Sequence, residues 1–187
     1  MKRVIFLDRD GVINRDSPGY IKSWEEFEFL PGSLDALALL GRAGYRPIVI
    51  SNQSGINRGL IRPGVLGEMH QRMCAAVEAA GGRIADIFFC PHCPDENCAC
   101  RKPRPGLILQ AQALHAIDLA ASIMIGDSAK DIQCGRNAGC GVAILVRTGN
   151  GPAAEAELAA AGCRPDLVAD DLLHAARLIL SRRTAPE

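Results

Sequence analysis

Six short runs rich in β-branched residues alternate with six longer amphipathic segments along this chain. Apolar runs of four to eight residues bounded by turn residues predict strands, and apolar residues recurring every three or four positions predict helices. Regular alternation of the two is typical of βαβ units, in which parallel strands are covered by helices on both faces. The pattern therefore predicts an α/β fold with a doubly wound, mainly parallel, Rossmann-like sheet.

The predicted elements have definite boundaries. The strands are expected at residues 4–7, 46–50, 84–89, 122–125, 142–146 and 167–168. The helices are expected at residues 33–43, 63–80, 105–116, 129–138, 153–161 and 171–181. A length of 187 residues suits one domain, so we expect residues 1–187 to form a single domain.

The charge of the chain is balanced, with 21 basic and 21 acidic side chains. An even balance gives no reason to expect nucleic acid or a membrane surface as a partner. The first residues lack the apolar region of a signal peptide, and no run approaches the roughly 18 apolar residues of a membrane span. We therefore expect a cytoplasmic protein, and a monomer, in which a local cluster of basic groups would meet any anion.

Polar side chains follow three of the predicted strands at the point where each strand ends. Asp8 and Asp10 follow the first strand, Ser51 and Asn52 the second, and Asp127 the fourth. The carboxyl ends of parallel strands share one edge of a sheet, which is where ligands bind in this class of fold. Asp8, Asp10 and Asp127 would give the hard oxygen ligands that Mg²⁺ prefers, although Asp and Ser also occur in ordinary turns at strand ends.

Two further segments suit a bound phosphate. The segment "SNQSG", residues 51–55, offers a hydroxyl and successive backbone N–H groups at a strand end. In "GDSAKDI", residues 126–132, Ser128 and Asp131 have the spacing of a capping box at a helix start, where anions are favoured. The sequence leaves open whether Asp131 only caps this helix or also joins the site.

Four potential metal ligands lie in one loop, residues 90–103, "CPHCPDENCACRKP". Cys90, His92, Cys98 and Cys100 supply the three sulfurs and one imidazole of a closed tetrahedral site, which predicts a structural zinc ion. Cys93 is the alternative to His92, because it forms a C-x-x-C pair with Cys90. Arg101 and Lys102 follow directly, and both side chains are suited to binding phosphate.

The ordered motifs "DRDGVIN", "SNQSG", "CRKP" and "GDSAKD" resemble those of phosphatases of the haloacid dehalogenase superfamily. With the cysteine-rich loop, they are similar to a narrower group that contains heptose bisphosphate phosphatases and histidinol-phosphate phosphatases. The resemblance implies a Mg²⁺-dependent phosphatase of a small phosphorylated sugar in lipopolysaccharide precursor synthesis, with histidinol phosphate as the alternative substrate. The segments that hold an inserted cap domain in other members are short here, so we expect a capless domain.

The resemblance also implies roles for individual residues. Asp8 would be the nucleophile that forms an aspartyl phosphate, and Asp10 the general acid and base, protonated at first because a neighbouring carboxylate raises its pKa. Mg²⁺ would be held by Asp8, the backbone carbonyl of Asp10 and Asp127. Ser51 and Lys102 would bind the transferring phosphoryl group. The implied substrate-binding residues are Asp16, Gly19, Tyr20, Asn52, Gln53, Ser54, Arg101 and Ser128, the last standing where the family can carry a lysine.

Two non-enzymatic interpretations compete with this one. A phospho-accepting receiver domain is also doubly wound, with an acid pair after its first strand, but it needs an acceptor Asp where this chain has Ser51. A zinc-dependent interaction module would explain the cysteine-rich loop, but it would leave Asp8, Asp10 and Asp127 without a role.

Overall fold

All twelve predicted elements are present in the protein, for which a computed structural model describes residues 3–184. The strands are β1 (Arg3–Leu7), β2 (Tyr45–Asn52), β3 (Asp86–Cys90), β4 (Ile123–Gly126), β5 (Val142–Val146) and β6 (Leu167–Ala169). The helices are α1 (Ser33–Arg42), α2 (Pro63–Ala79), α3 (Gly106–His115), α4 (Ala129–Ala138), α5 (Gly151–Ala160) and α6 (Leu172–Thr184). The largest difference from expectation is that α6 continues to Thr184; β2 also continues to Asn52, and β3 begins only at Asp86.

The six strands form one sheet in the order β3-β2-β1-β4-β5-β6, and every neighbouring pair is parallel. The chain runs outward from β1 to β3, returns to the centre at β4, and runs outward again to β6. The strand order therefore reverses between β1 and β4, which pair at Ile5↔Ile123, Phe6↔Met124 and Leu7↔Ile125. The doubly wound prediction is confirmed, and a ligand site is expected outside the carboxyl ends of these two strands.

Both faces of the sheet are buried, as the near-continuous apolar strands require. Along β1, Ile5 and Leu7 belong to one hydrophobic cluster, which contains residues of α1, α2 and α6. Val4 and Phe6 alternate with them and belong to a second cluster, which contains residues of α3 and α4. Burying a side chain of this size stabilises the fold by about 1.5–3 kcal/mol. With both faces covered, the carboxyl edge of the sheet is left for a site.

Two connecting segments bear on the expectation of a capless fold. Between β1 and α1 the described chain forms a single 3-10 turn at Trp24–Glu26, and between β3 and α3 it forms another at Pro94–Glu96. Neither segment contains an α-helix or a strand of the sheet, so there is no inserted cap among residues 3–184. None of the helices over the same residues combines the length and hydrophobicity needed to cross a bilayer.

Candidate active site

A cavity of about 460 Å³ opens at the carboxyl edge of the sheet. This volume is in the range of small-molecule binding sites. The residues from the sequence prediction that line it are Asp8, Asp10, Asp16, Tyr20, Asn52, Gln53, Ser54, Arg101, Asp127 and Ser128. Gly19 precedes Tyr20 but is not part of the wall. Ser51 and Lys102 lie beneath the surface, only 1% and 2% exposed.

Lys102 is the cation at the base of this site. Its Nζ lies 2.9 Å from Asp8 Oδ2 and 2.6 Å from Asp131 Oδ1, and it donates a hydrogen bond of 2.8 Å to the carbonyl of Ile50. Burial alone would lower the pKa of Lys102, but Asp131 and Asp8 raise it by more, so the ammonium stays charged. Asp8 is itself fixed at the sheet, because its N–H donates to the carbonyl of Ile125 at 3.0 Å.

Three carboxylates crowd together beside this lysine. Oxygens of Asp8, Asp127 and Asp131 all lie within 4.8 Å of one another. Burial, with the charge of Asp131 adding to it, raises the pKa of Asp127 to about 7. Burial also raises the pKa of Asp8 well above its usual value, with Lys102 opposing and the other acids adding. Hard oxygen donors whose negative charges repel one another fit a divalent cation such as Mg²⁺.

Asp131 has two partners, which answers the question that the sequence left open. Its Oδ2 accepts hydrogen bonds from Ser128 N at 3.0 Å and Ser128 Oγ at 2.6 Å at the start of α4. Its Oδ1 faces Lys102. A Cβ at Gly126 would lie 2.1 Å from the Cβ of Asp131, so this approach requires glycine. Asp131 therefore caps the helix and also belongs to the charged cluster.

Asp127 is held in place by backbone that only glycine can supply. Gly11 and Gly149 have φ of +78° and +53°, and a Cβ at either position would lie within 2.2 Å of Asp127 Oδ2. The same oxygen accepts a hydrogen bond of 2.8 Å from the N–H of Asn150. The turn after β1 and the loop after β5 therefore close around this carboxylate.

The carboxylate of Asp10 is enclosed by donors. Its Oδ1 accepts from Arg9 Nη2 at 2.8 Å and Asn14 Nδ2 at 2.9 Å, and its Oδ2 accepts from Gln53 Nε2 at 2.8 Å. Burial favours the neutral acid, but the charge of Arg9 and these hydrogen bonds outweigh it, so the pKa of Asp10 is lowered. The expectation of a raised pKa is wrong in this structure, because the carboxylate pairs with Arg9.

Arg9 itself is almost wholly buried, with 1% of its surface exposed. Its Nη1 lies 3.4 Å from Nε2 of His70 on α2, and its guanidinium lies 5.9 Å from the ring centre of Phe27. A guanidinium can only donate, so His70 Nε2 is the acceptor and the imidazole is neutral. Burial and the charge of Arg9 lower the pKa of His70 to about 4.

Replacing His70 with Gln is expected to flatten the pH dependence of stability between pH 6.5 and 4. In that window the unfolded protein protonates His70 and the folded protein does not, so wild-type stability falls as the pH falls. The gap between pKa 6.5 and about 4 corresponds to about 3 kcal/mol. Gln keeps an acceptor for Arg9 without titrating. Urea unfolding of both proteins at several pH values measures the difference; parallel curves would contradict the assignment.

Asn52 and Gln53 connect the end of β2 to the rest of the site. Asn52 Oδ1 accepts from the N–H of Lys102 at 3.1 Å, and its Nδ2 donates to the Lys102 carbonyl at 3.3 Å. Gln53 Nε2 donates to Ser51 Oγ at 2.8 Å as well as to Asp10. Both amides, expected to bind substrate, thus already have protein partners, although both line the cavity.

Three residues of the segment 16–20 line the cavity, namely Asp16, Ser17 and Tyr20. Tyr20 has a left-handed backbone with φ of +64°, and its hydroxyl lies 3.3 Å from Ser54 Oγ. Asp16 Oδ2 accepts a hydrogen bond of 3.2 Å from Asn150 Nδ2. The segment is thereby linked to the loops after β2 and β5.

The cysteine-rich loop gathers Cys90, His92, Cys98 and Cys100 into one group. The sulfur–sulfur distances are 3.2–3.5 Å, and His92 Nδ1 lies 3.5 Å from Cys90 Sγ and 3.3 Å from Cys100 Sγ. Sulfurs bound tetrahedrally to zinc at about 2.3 Å are roughly 3.8 Å apart, so the cluster has nearly the required size. Cys93 lies outside the group. The geometry fits structural zinc and favours His92 over Cys93.

Several residues at the site were not expected from the sequence. Arg9 and Asn14 hold Asp10, while Lys130 and Asn150 line the cavity. Asn150 carried a usable signal, because it follows β5 as the other site residues follow their strands. Lys130 lies in the first turn of α4, two residues after Ser128, and it supplies a cation near the position where the resembled family can carry one.

Comparisons with known proteins identify close relatives. Residues 99–175 match a family model described as HAD-hydrolase-like. The chain is 42% identical over 178 residues to the D-glycero-beta-D-manno-heptose-1,7-bisphosphate 7-phosphatase of Pseudomonas putida, covering 95% of this chain and 99% of the relative. It is 45% identical over 149 residues to the enzyme of the same name from Bordetella bronchiseptica, covering 80% and 83%.

A solved structure gives the same result in three dimensions. The D,D-heptose 1,7-bisphosphate phosphatase from B. bronchiseptica, complexed with magnesium and phosphate, superposes with a TM-score of 0.90 at 41% identity. The match covers 96% of this chain and 99% of that one. The likeness therefore extends over the whole sheet and its loops.

Proposed function

The chain belongs to the D-glycero-beta-D-manno-heptose-1,7-bisphosphate 7-phosphatase family of HAD-like hydrolases, and from this we propose the reaction and the role of each site residue. The protein is a phosphoric monoester hydrolase that removes the 7-phosphate of D-glycero-D-manno-heptose 1,7-bisphosphate. The observation that carries the assignment at the site is Asp8, seated in the cavity beside buried Lys102 and two further carboxylates.

In the first step, a carboxylate oxygen of Asp8 attacks the phosphorus of the 7-phosphate. A bond forms between this oxygen and phosphorus, the bond from phosphorus to the sugar oxygen breaks, and Asp10 donates a proton to that oxygen. Charge on the transferring group is stabilised by Lys102, 2.9 Å from Asp8, together with Ser51 at the end of β2. The products are the aspartyl phosphate and the free 7-hydroxyl.

In the second step, water hydrolyses the aspartyl phosphate. Asp10, now ionised, accepts a proton from the water that attacks phosphorus, and Asp8 leaves as a carboxylate. The hydrogen bonds that lower the pKa of Asp10 favour its ionised form, which suits this step. The enzyme thereby returns to its starting state with inorganic phosphate released.

Mg²⁺ would be held by Asp8, Asp127 and the backbone carbonyl of Asp10, where it neutralises charge as a phosphate group enters among carboxylates. Zinc would be held by Cys90, His92, Cys98 and Cys100 and would be structural, because all four of its positions are filled by protein. Arg101 follows the last of these ligands and donates to the carbonyl of His92 at 3.1 Å. A rigid loop of this kind would hold Arg101 at the cavity wall to bind the substrate.

The remaining properties are proposals of the same kind. We expect Asp16, Gly19, Tyr20, Ser54 and Ser128 to form the sugar side of the site. The protein would act as a cytoplasmic, single-domain monomer in the synthesis of lipopolysaccharide heptose precursors, with no nucleic-acid or membrane partner. The relatives' names specify the beta anomer, and we propose that this chain has the same preference.

Substrate selection tests the proposal. Purified protein with Mg²⁺ is assayed for phosphate release from both anomers of the heptose bisphosphate and from histidinol phosphate. We expect the highest kcat/KM with the beta anomer, because a binding site loses affinity for a substrate that leaves its polar groups unpaired. A higher kcat/KM with histidinol phosphate would contradict the proposed substrate.

A further inference from the structure

We propose that Arg9 and Asn14 are positioning residues that fix the carboxyl group of Asp10 so that only its Oδ2 carries the catalytic proton. The inference rests on the proposed function, in which Asp10 protonates the leaving oxygen. Asn14 is fully buried and does not line the cavity, and Arg9, which does, exposes only 1% of its surface. Their effect would pass through the orientation of Asp10.

The two carboxyl oxygens of Asp10 are unequally occupied by hydrogen-bond donors. Oδ1 accepts three N–H groups, from Arg9 Nε at 3.2 Å, Arg9 Nη2 at 2.8 Å and Asn14 Nδ2 at 2.9 Å. Oδ2 accepts one, from Gln53 Nε2 at 2.8 Å. A carboxylate oxygen has two lone pairs, so Oδ1 has no room for a proton and Oδ2 has room for one.

The donors to Asp10 Oδ1 are themselves held in place. Asn14 is fully buried, and its Nδ2 also donates to the Arg15 carbonyl at 2.8 Å. The backbone N–H of Asn14 donates to the Arg9 carbonyl at 3.2 Å, while its carbonyl accepts from Gly11 N at 2.7 Å. The turn after β1 is therefore closed on itself, and Asn14 can hardly move relative to Asp10.

Arg9 is fixed from its other side. His70 Nε2 accepts from its Nη1 at 3.4 Å, and the ring of Phe27 covers the guanidinium. None of these groups lies on a flexible surface, because Arg9, Phe27 and His70 are all buried. Such a rigid arrangement is what general acid catalysis needs, since an error of about 1 Å in a catalytic group can cost roughly 10²-fold in rate.

Dependence on the leaving group tests the proposal. An alkyl phosphate such as the heptose bisphosphate needs a proton on its leaving oxygen, whereas 4-nitrophenyl phosphate releases a stable phenolate without one. For Asn14→Ala and for Arg9→Lys we expect kcat/KM to fall about 30- to 100-fold with the sugar and less than threefold with the aryl phosphate. Single-turnover measurements with enzyme in excess give a rate constant even where a variant hydrolyses one of the substrates slowly.

Equal losses with both substrates would show a merely structural role and overturn the proposal, as would no loss with the sugar. The aryl phosphate rate also reports whether each variant is folded, and Arg9→Lys keeps the positive charge if Asn14→Ala does not fold. If wild-type protein hydrolyses histidinol phosphate instead of the heptose bisphosphate, the same comparison is made with histidinol phosphate. A larger loss of kcat/KM with histidinol phosphate than with the aryl phosphate would support the positioning role while contradicting the proposed substrate.

Discussion

Replacing Asp8 with Asn is expected to lower kcat for phosphate release by more than about 10⁴-fold. An amide cannot attack phosphorus as the carboxylate does, so no aspartyl phosphate can form. The change keeps the shape of the side chain, and Lys102 retains Asp131 as a partner at 2.6 Å. Phosphate release in Mg²⁺ measures the loss, and mass spectrometry after acid quench measures the phosphoenzyme in the wild type and its absence in the variant.

The matched control is Asp86→Asn. Asp86 begins β3, the outermost strand on one side of the sheet, and does not line the cavity; its carboxylate lies 2.8 Å from His115 Nε2. We expect this variant to release phosphate at close to the wild-type rate. An Asp8→Asn variant that is folded and within tenfold of wild type would show that Asp8 is not the nucleophile.

Loss of zinc is expected to have the other large effect. Cys100→Ser removes one of the four ligands, and Cys100 is followed directly by Arg101 and Lys102. Structural zinc contributes about 10–16 kcal/mol in small zinc-binding peptides, which is as large as the whole stability of an ordinary domain. We expect Cys100→Ser to lose bound zinc, to unfold at a lower temperature, and to lose at least about 10²-fold in kcat.

Cys93→Ser is the control for this change, because Cys93 lies in the same loop but outside the cluster. It is expected to bind one zinc ion per chain and to keep its activity. Elemental analysis, thermal unfolding and phosphate release give the three readouts. A zinc-free Cys93→Ser variant would show that Cys93, and not His92, completes the site.

The fold was predictable because its elements are encoded locally. The apolar run 4–7 and its counterparts have the length and composition of buried strands, and β1 through β6 all formed where such runs occur. The position of Asp8, Ser51 and Asp127 at one edge followed from parallel pairing alone. The strand order was not evident, because it depends on contacts such as Ile5↔Ile123 between distant parts of the chain.

The surroundings of Asp10 were beyond the reach of the sequence for the same reason. His70 is 61 positions away from Arg9, and nothing in its helical pattern indicates that it accepts a hydrogen bond there. The side chain of Arg9 could equally have pointed to solvent, as most arginines do. Its charge and its hydrogen bonds to Asp10, with those of Asn14 and Gln53, reverse the pKa shift that the sequence led us to expect. Asp131 was ambiguous because a capping residue and a site residue have the same local pattern.

The sheet has two halves, β1 to β3 and β4 to β6, which meet where β1 pairs with β4. Asp8 belongs to one half, Asp127 and Asp131 to the other, and Lys102 lies between them along the sequence. Contacts between such distant positions form slowly, since a long loop must close before they are made. The pair between Lys102 and Asp8 can form within the half that contains β1 to β3, but Asp131, the second acid beside this buried lysine, comes from the other half. The complete charged cluster, and catalysis with it, therefore requires the two halves to meet.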